Sequence, residues 1–274
     1  KTKRWNPKME SFIFGERNGI HIIDLQQTVV CLSRALVKIQ EFATQNKNIL
    51  FVGTKRQASD IISQAAIDCG QYYINKRWLG GMLTNWDTIQ NSIKRLKALE
   101  KILEDKQSTY TKKELLNYEK SIEKLNKALG GIKDMNGMPD ILFIVDTNKE
   151  FLAINEANKI GIPIVAVVDS NSNPDGIDFP IPGNDDAIRS ISLLARLVSN
   201  ACLEGAEKAT GIRGDGDGPV ILKKSDLDKK EKVDAKTSSD AKEKKQVKEE
   251  SPAENVSEEN ESLLEQKESN EVKE

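Results

Sequence analysis

Apolar residues along this chain fall into two alternating patterns. NILFVG (48–53), DILFIVD (140–146) and PIVAVVD (163–169) are continuous apolar runs, which suits strands covered on both faces. Between them the apolar positions recur at three and four. Val29, Leu32, Leu36, Ile39 and Phe42 predict a helix from Leu25 to about Ala43, buried on one side. SDIISQAAIDC (59–69) predicts a second with Ser59 as its cap, FLAINEANKI a third, and DAIRSISLLARLVSNAC (186–202) a last. QYYIN (71–75) adds a strand, and FIF (12–14) with IHII (20–23) reads as a hairpin with Gly15 and Gly19 at its turn. The alternation predicts a three-layer α/β/α sandwich on a mostly parallel sheet.

One stretch is too long for a simple crossover, since about 65 residues separate the strands at 71–75 and 140–146. Within it Ile89, Ile93, Leu96, Leu99 and Leu103 recur at helical spacing, and so do Leu115, Tyr118, Ile122, Leu125 and Leu129 after the polar break DKQSTYT. Narrow apolar seams flanked by Lys and Glu predict an antiparallel coiled-coil hairpin projecting as an arm, rather than two helices lying on the sheet. The expected organisation is an α/β body (1–86 and 130–213), an arm (87–129) and a charged tail (214–274). The tail holds 12 Lys and Arg, 18 Asp and Glu and no aromatic residue, so it is expected to be disordered.

The formal net charge of −2 hides a polarity. Residues 1–130 carry 22 cationic and 13 acidic side chains, whereas residues 131–213 carry 7 and 12. A basic first half suits a polyanionic partner, with phosphate contacts supplying affinity. Cys31, Cys69 and Cys202 lie far apart with no CxxC, which points to a reducing compartment. No apolar stretch reaches the length of a membrane span, so no membrane association is expected. The chain starts at Lys1 rather than methionine, as a fragment would.

Catalytic chemistry finds little support. An enzyme reading makes Gly53 and Thr54 a phosphate cradle and Asp146 with Asp169 a metal or base pair, yet neither GxxxxGK[ST] nor a GxGxxG after a strand is present. His21, the one histidine, lies between isoleucines and reads as a partly buried, hydrogen-bonded side chain. Asp185 and Asp186 read as cap and first-turn anions of the last helix. Nucleic-acid binding fits better. Arg4 beside Trp5, Lys76 and Arg77 beside Trp78, and Lys94, Arg95 and Lys97 pair cations with aromatics or cluster them, as phosphate contact and base stacking require. Trp78 and Trp86 also fit a packing role, wedging the arm against the sheet. A third reading uses the arm as an adaptor for a partner helix.

RWNPKM (4–9), FIFGERNGIHIIDL (12–25), FVGTKRQAS (51–59), NKRWLGGMLTNW (75–86), LGGIKDMNGMPDILFIVD (129–146) and GIPIVAVVDSNSNPDGIDFPIPGNDDAIRSI (161–191) together resemble the bacterial-type small ribosomal subunit protein S-two family. The resemblance spans residues 1–205 and implies a structural, non-enzymatic protein on 16S-type ribosomal RNA near the junction of head and body. It also implies late entry into assembly and neighbouring ribosomal proteins, including the large RNA-binding protein S-one. Neither a cofactor, a bound metal nor a homo-oligomer is expected, and the location is the cytoplasmic ribosome or an organellar one. The family pattern includes a further His-Phe-Gly-His stretch before the position of Lys1, and the charged tail is longer than in many members. Candidate RNA contacts are Lys3, Arg4, Lys8, Arg17, Lys55, Arg56, Lys76, Arg77, Trp78, Lys94, Arg95 and Lys97.

Overall fold

A computed structural model describes residues 5–104 and 111–210. Lys3, Arg4, most of the DKQSTYT break and the whole tail from 214 lie outside the described residues. An antiparallel ribbon comes first, β1 (Ile13–Arg17) against β2 (Ile20–Ile23), followed by α1 (Leu25–Thr44). The body continues with β3 (Ile49–Val52), α2 (Ser59–Asp68) and β4 (Tyr72–Ile74). After α3 (Trp86–Glu104) and α4 (Lys112–Leu129) come β5 (Ile141–Val145), α5 (Phe151–Ile160), β6 (Ile164–Val168), β7 (Phe179–Pro182) and α6 (Ile188–Thr210). The sheet order is β4-β3-β5-β6-β7, and every pairing is parallel.

Two faces of the sheet bury two separate cores, because successive side chains of a strand point oppositely. Ile49, Phe51, Ile141, Phe143, Val165 and Val167 pack against α1, α2 and α6, with Phe51 and Phe143 edge to face at 5.5 Å between centroids. Leu50, Val52, Leu142, Ile144, Ala166 and Val168 pack against α5 and the loop that carries Trp78, Met82 and Leu83. All residues of β3, β5 and β6 are buried, which accounts for their unbroken apolar runs. The result is an α/β/α sandwich, with a wholly parallel main sheet.

β7 carries no strand signal in the sequence, because FPIP holds two prolines and proline cannot donate to a ladder. It lies at the sheet edge, and the backbone period resolves the conflict. Gly183 N donates to Val168 O at 2.9 Å, so the odd positions face β6 and Pro180 and Pro182 turn outward. No ladder bond is lost, and the outward carbonyl of Pro182 accepts the Thr28 hydroxyl of α1 at 2.8 Å.

Three expectations need correction. Ser59 does not cap α2: the capping position is Ala58, and the buried Ser59 Oγ instead accepts a hydrogen bond from Lys76 Nζ at 3.2 Å. The last helix begins after the Asp185-Asp186 pair and runs on to Thr210. Asn184 turns the chain ahead of that start, its Oδ1 accepting from Asp186 N and Ala187 N at 2.8 and 3.1 Å. Gly205 would be a poor residue in mid-helix, but a Cβ there would meet Ala43 Cβ and Gln40 O of α1 at 2.6 Å. The two helices close onto a glycine, so α6 outlasts its apolar period.

α3 and α4 pack on each other, with Ile89, Ile93, Leu96 and Leu99 buried on α3 and Leu115, Tyr118, Ile122 and Leu125 half-buried on α4. Thr111 opens α4 with a reciprocal cap, bonding the Glu114 N–H while Glu114 answers to the Thr111 N–H. Ile89, Ile93 and Leu129 join the core under the sheet, so the base of the helix pair belongs to the body.

Candidate functional site

The stretch NKRWLGGMLTNW forms the connection from β4 to α3, and one carboxylate organises it. Glu156 of α5 accepts the Trp78 indole N–H at 3.2 Å and the backbone N–H groups of Gly81, Leu83 and Thr84 at 2.8, 2.9 and 3.3 Å. Gly81 has φ +82°, a conformation that lets the chain double back onto the carboxylate. Burial works against the charge of Glu156, but these donors outweigh it and hold the carboxyl below its usual range. Lys76 and Arg77 are left exposed at the start of this pinned loop.

A second cluster forms at the carboxyl ends of β3, β5, β6 and β7, the side of an open parallel sheet where ligands meet a fold of this class. Lys55 Nζ lies 2.6 Å from Asp186, 2.8 Å from Asp185 and 3.2 Å from Asp146. Asp146 is held at φ +69°, tolerable for a short polar side chain as it leaves β5. Burial opposes the charge of Lys55, yet hydrogen bonds to Asp185 and Asp186 and the charge of Asp146 hold the ammonium well above the ordinary lysine range. The Asp185 carboxyl is pushed up to about 6, first by burial and further by Asp146 and Asp169, with Lys55 pulling the other way. One cation therefore serves several carboxylates. Oxygens of Asp169, Asp185 and Asp186 come within 4.8 Å of one another, a spacing that a cation could bridge, and the ammonium of Lys55 already occupies the space beside two of them. This corrects the view of Asp185 and Asp186 as simple first-turn anions.

The phosphate-cradle reading of Gly53 and Thr54 also gives way. Thr54 N and Oγ1 both donate to Glu150 Oε1, at 2.8 and 2.5 Å, so the donors of the cradle are already spent on a carboxylate. Burial pushes the Glu150 carboxyl up, with the Thr54 bonds drawing it partly back. Gly53 is small for packing, since a Cβ there would meet Ile62 Cγ1 at 2.9 Å.

The candidate contact residues separate by exposure and pairing. Arg17, Arg56, Arg77, Lys94 and Arg95 are exposed and carry no ion pair among the described residues. Lys76, Lys97 and Lys8 are exposed but ion-paired, with Asp60 at 3.5 Å, Asp134 at 3.0 Å and Asp175 respectively. Lys55, with 13% of its side chain exposed, is committed to its aspartates and does not face solvent as a phosphate contact would. Trp78 is 6% exposed, and its ring packs in the core rather than on a surface where a base could stack. His21 stacks on Trp5 at 5.1 Å between centroids, and its buried Nδ1 has no hydrogen-bond partner among the described residues, contrary to the expected bonded side chain. Glu156 carries no signal of this role in the sequence, since a lone glutamate on a helix does not announce the loop it will hold.

A family model described as ribosomal protein S2 matches residues 1–205. Among similar relatives, the small ribosomal subunit protein uS2 of Parvibaculum lavamentivorans is 58% identical over 214 residues, covering 78% of this chain and 85% of the relative. That of Sinorhizobium medicae is 58% identical over 214 residues, with 78% and 84% covered, and that of Acidiphilium cryptum 60% identical over 213 residues, with 78% and 83% covered. Among the described residues no helix is long and apolar enough to cross a membrane.

Proposed function

We infer the function from one premise: this chain belongs to the ribosomal protein S2 family. It is a structural constituent of the small ribosomal subunit, it binds ribosomal RNA as the family does, and it is not an enzyme. Its place is the cytoplasmic ribosome.

Beyond that, the contact surface is our reading. Arg17, Arg56, Arg77, Lys94 and Arg95 supply free cations for the phosphate backbone, with Lys8, Lys76 and Lys97 exchanging their carboxylate partners for phosphates on binding. Lys3 and Arg4 extend this set. The observation that carries the reading is the pinned loop. Glu156 fixes the connection between β4 and α3, which presents Lys76 and Arg77 at its start and Lys94, Arg95 and Lys97 along the helix that follows. Preorganised cations lose less freedom on binding than a flexible basic loop would.

The α3 and α4 pair serves as a coiled-coil arm whose base is anchored in the core and whose buried seam keeps two helices together as one element. Neighbouring small-subunit proteins, including the large protein S-one, are the partners proposed for the remaining surface. The test is occupancy. Small subunits purified from cells expressing a tagged Lys76→Glu, Arg77→Glu chain should carry less of it than of the unchanged chain, with the free variant still folded; equal occupancy removes this loop from the contact surface.

A further inference from the structure

We propose that the cavity between the start of α5 and the 171–175 loop receives a single unpaired RNA base, adenine by its chemistry. The proposal rests on the RNA-binding reading and specifies a site within it. The cavity has a volume of about 180 Å³ and is lined by Thr147, Asn148, Phe151, Asn155, Asn173 and Asp175, among others.

The first observation is an unsatisfied buried group. Thr147 is 5% exposed, and its hydroxyl has no hydrogen-bond partner among the described residues. Buried hydroxyls left unpaired are costly and uncommon, and this one belongs to a side chain lining an open cavity that a ligand atom could enter. The second is the set of amides around it. Asn155 makes no side-chain hydrogen bond among the described residues. Asn173 accepts the Asp175 N–H on Oδ1 at 3.2 Å, which leaves its two Nδ2 donors free. Asn148 spends one donor on Asn171 O at 3.3 Å and keeps its carbonyl oxygen. Donors and acceptors thus stand together, as the edge of a base requires.

The third observation is Phe151, 54% exposed at the first position of α5 while lining the same cavity. An exposed aromatic face beside a polar cleft suits a base splayed out of its stack. Charge decides against a phosphate as the occupant. None of the lining residues is a cation and Asp175 contributes a carboxylate, so an anion would meet repulsion within the cleft despite the nearby helix start. Lys8 stands at the rim, paired with Asp175, and can take the phosphate of the nucleotide whose base enters. Every unpaired base offers a donor beside an acceptor for an asparagine amide, but adenine alone offers that pair on both its edges, N6–H with N1 and N6–H with N7, and its two rings cover more of Phe151 than a pyrimidine would.

Fluorescence anisotropy of the full chain with labelled hexa-adenylate, hexa-uridylate and hexa-cytidylate tests this directly. Hexa-adenylate should bind about fivefold or more tightly than either pyrimidine oligomer, the scale of one good amide-to-adenine pair. Phe151→Ala and Asn155→Ala, both at exposed positions, should remove the preference and leave the weaker, salt-sensitive binding common to all three oligomers. Thr147→Val, which keeps the shape, should lower hexa-adenylate binding alone. No preference for adenylate, or a preference that survives both exposed-site variants, overturns the proposal. On purified small subunits, dimethyl sulfate should find an adenine that becomes reactive when the chain carries Asn155→Ala; an unchanged reactivity map at full occupancy also overturns it. If the unchanged chain did not co-sediment with small subunits, the ribosomal reading would fail, and the base preference of the free chain would still judge the pocket.

Discussion

Glu156 and Trp78 meet across 78 residues of sequence, the carboxylate of α5 accepting the indole N–H at 3.2 Å. The same carboxylate accepts the Gly81 and Leu83 N–H groups, so a helix on one side of the sheet sets the path of the chain into α3. Replacing Glu156 by alanine leaves those donors unpaired, at a cost of about 2–3 kcal/mol. Chemical denaturation should register that loss, and Glu156→Gln, which keeps one acceptor oxygen, should recover part of it. Because the carboxyl is held below its usual range, its contribution is present above the ordinary glutamate pKa and fades as pH falls through the depressed one. An alanine variant as stable as the parent at neutral pH would show that the loop needs no such anchor.

Asp185 should shape the pH profile in the opposite direction. Its carboxyl is raised from the ordinary 3.8 to about 6, so the folded chain holds this proton more tightly than the unfolded chain. Between about pH 4 and 6 the stability owed to this group therefore falls as pH rises. Asp185→Asn should match the parent near pH 4 and exceed it by about 1–3 kcal/mol at pH 7.5. Urea titrations at the two pH values measure the difference, and a constant gap would rule out the raised carboxyl.

Lys55 and Arg77 are both cations from the basic half of the chain, yet they should behave differently. Lys55→Gln breaks a buried ion-pair cluster and should cost about 3 kcal/mol of stability. Arg77→Gln should leave stability within about 0.5 kcal/mol, as surface changes usually do. In RNA binding the order reverses. Arg77→Gln should flatten the plot of log affinity against log salt by a slope of about one, and Lys55→Gln, in whatever fraction stays folded, should not. A slope change for Lys55 equal to that for Arg77 would mean that the aspartates release it to RNA.

Gly205 tests the closeness of α1 and α6. A methyl group there would press on Ala43 Cβ and Gln40 O at 2.6 Å, neither of which can swing aside. Gly205→Ala should lose about 1–3 kcal/mol despite the better helix propensity of alanine. A thermal midpoint at or above that of the parent would indicate that the two helices part easily.

Spacing alone determined much of this fold, because burial imposes a period on a regular backbone. β3, β5 and β6 are legible as unbroken apolar runs and α1 and α5 as three-four repeats, since each depends on neighbours within a few residues. Family membership was legible as well, carried by long motifs in register. What lay beyond local reading depended on distant partners. The two prolines of β7 are acceptable only because their outward sides face α1, and α6 runs past its expected end because Gly205 nests on Ala43 and Gln40. The cations show the difference most sharply. A lysine has the same letter whether solvated or neutralised, and only the packed chain brings Asp185, 130 residues away, against Lys55 while leaving Arg77 open to solvent. Sequence supplied the charge of the surface; tertiary structure decided which of those charges are still free to meet a phosphate, because ion pairing depends on distance in space.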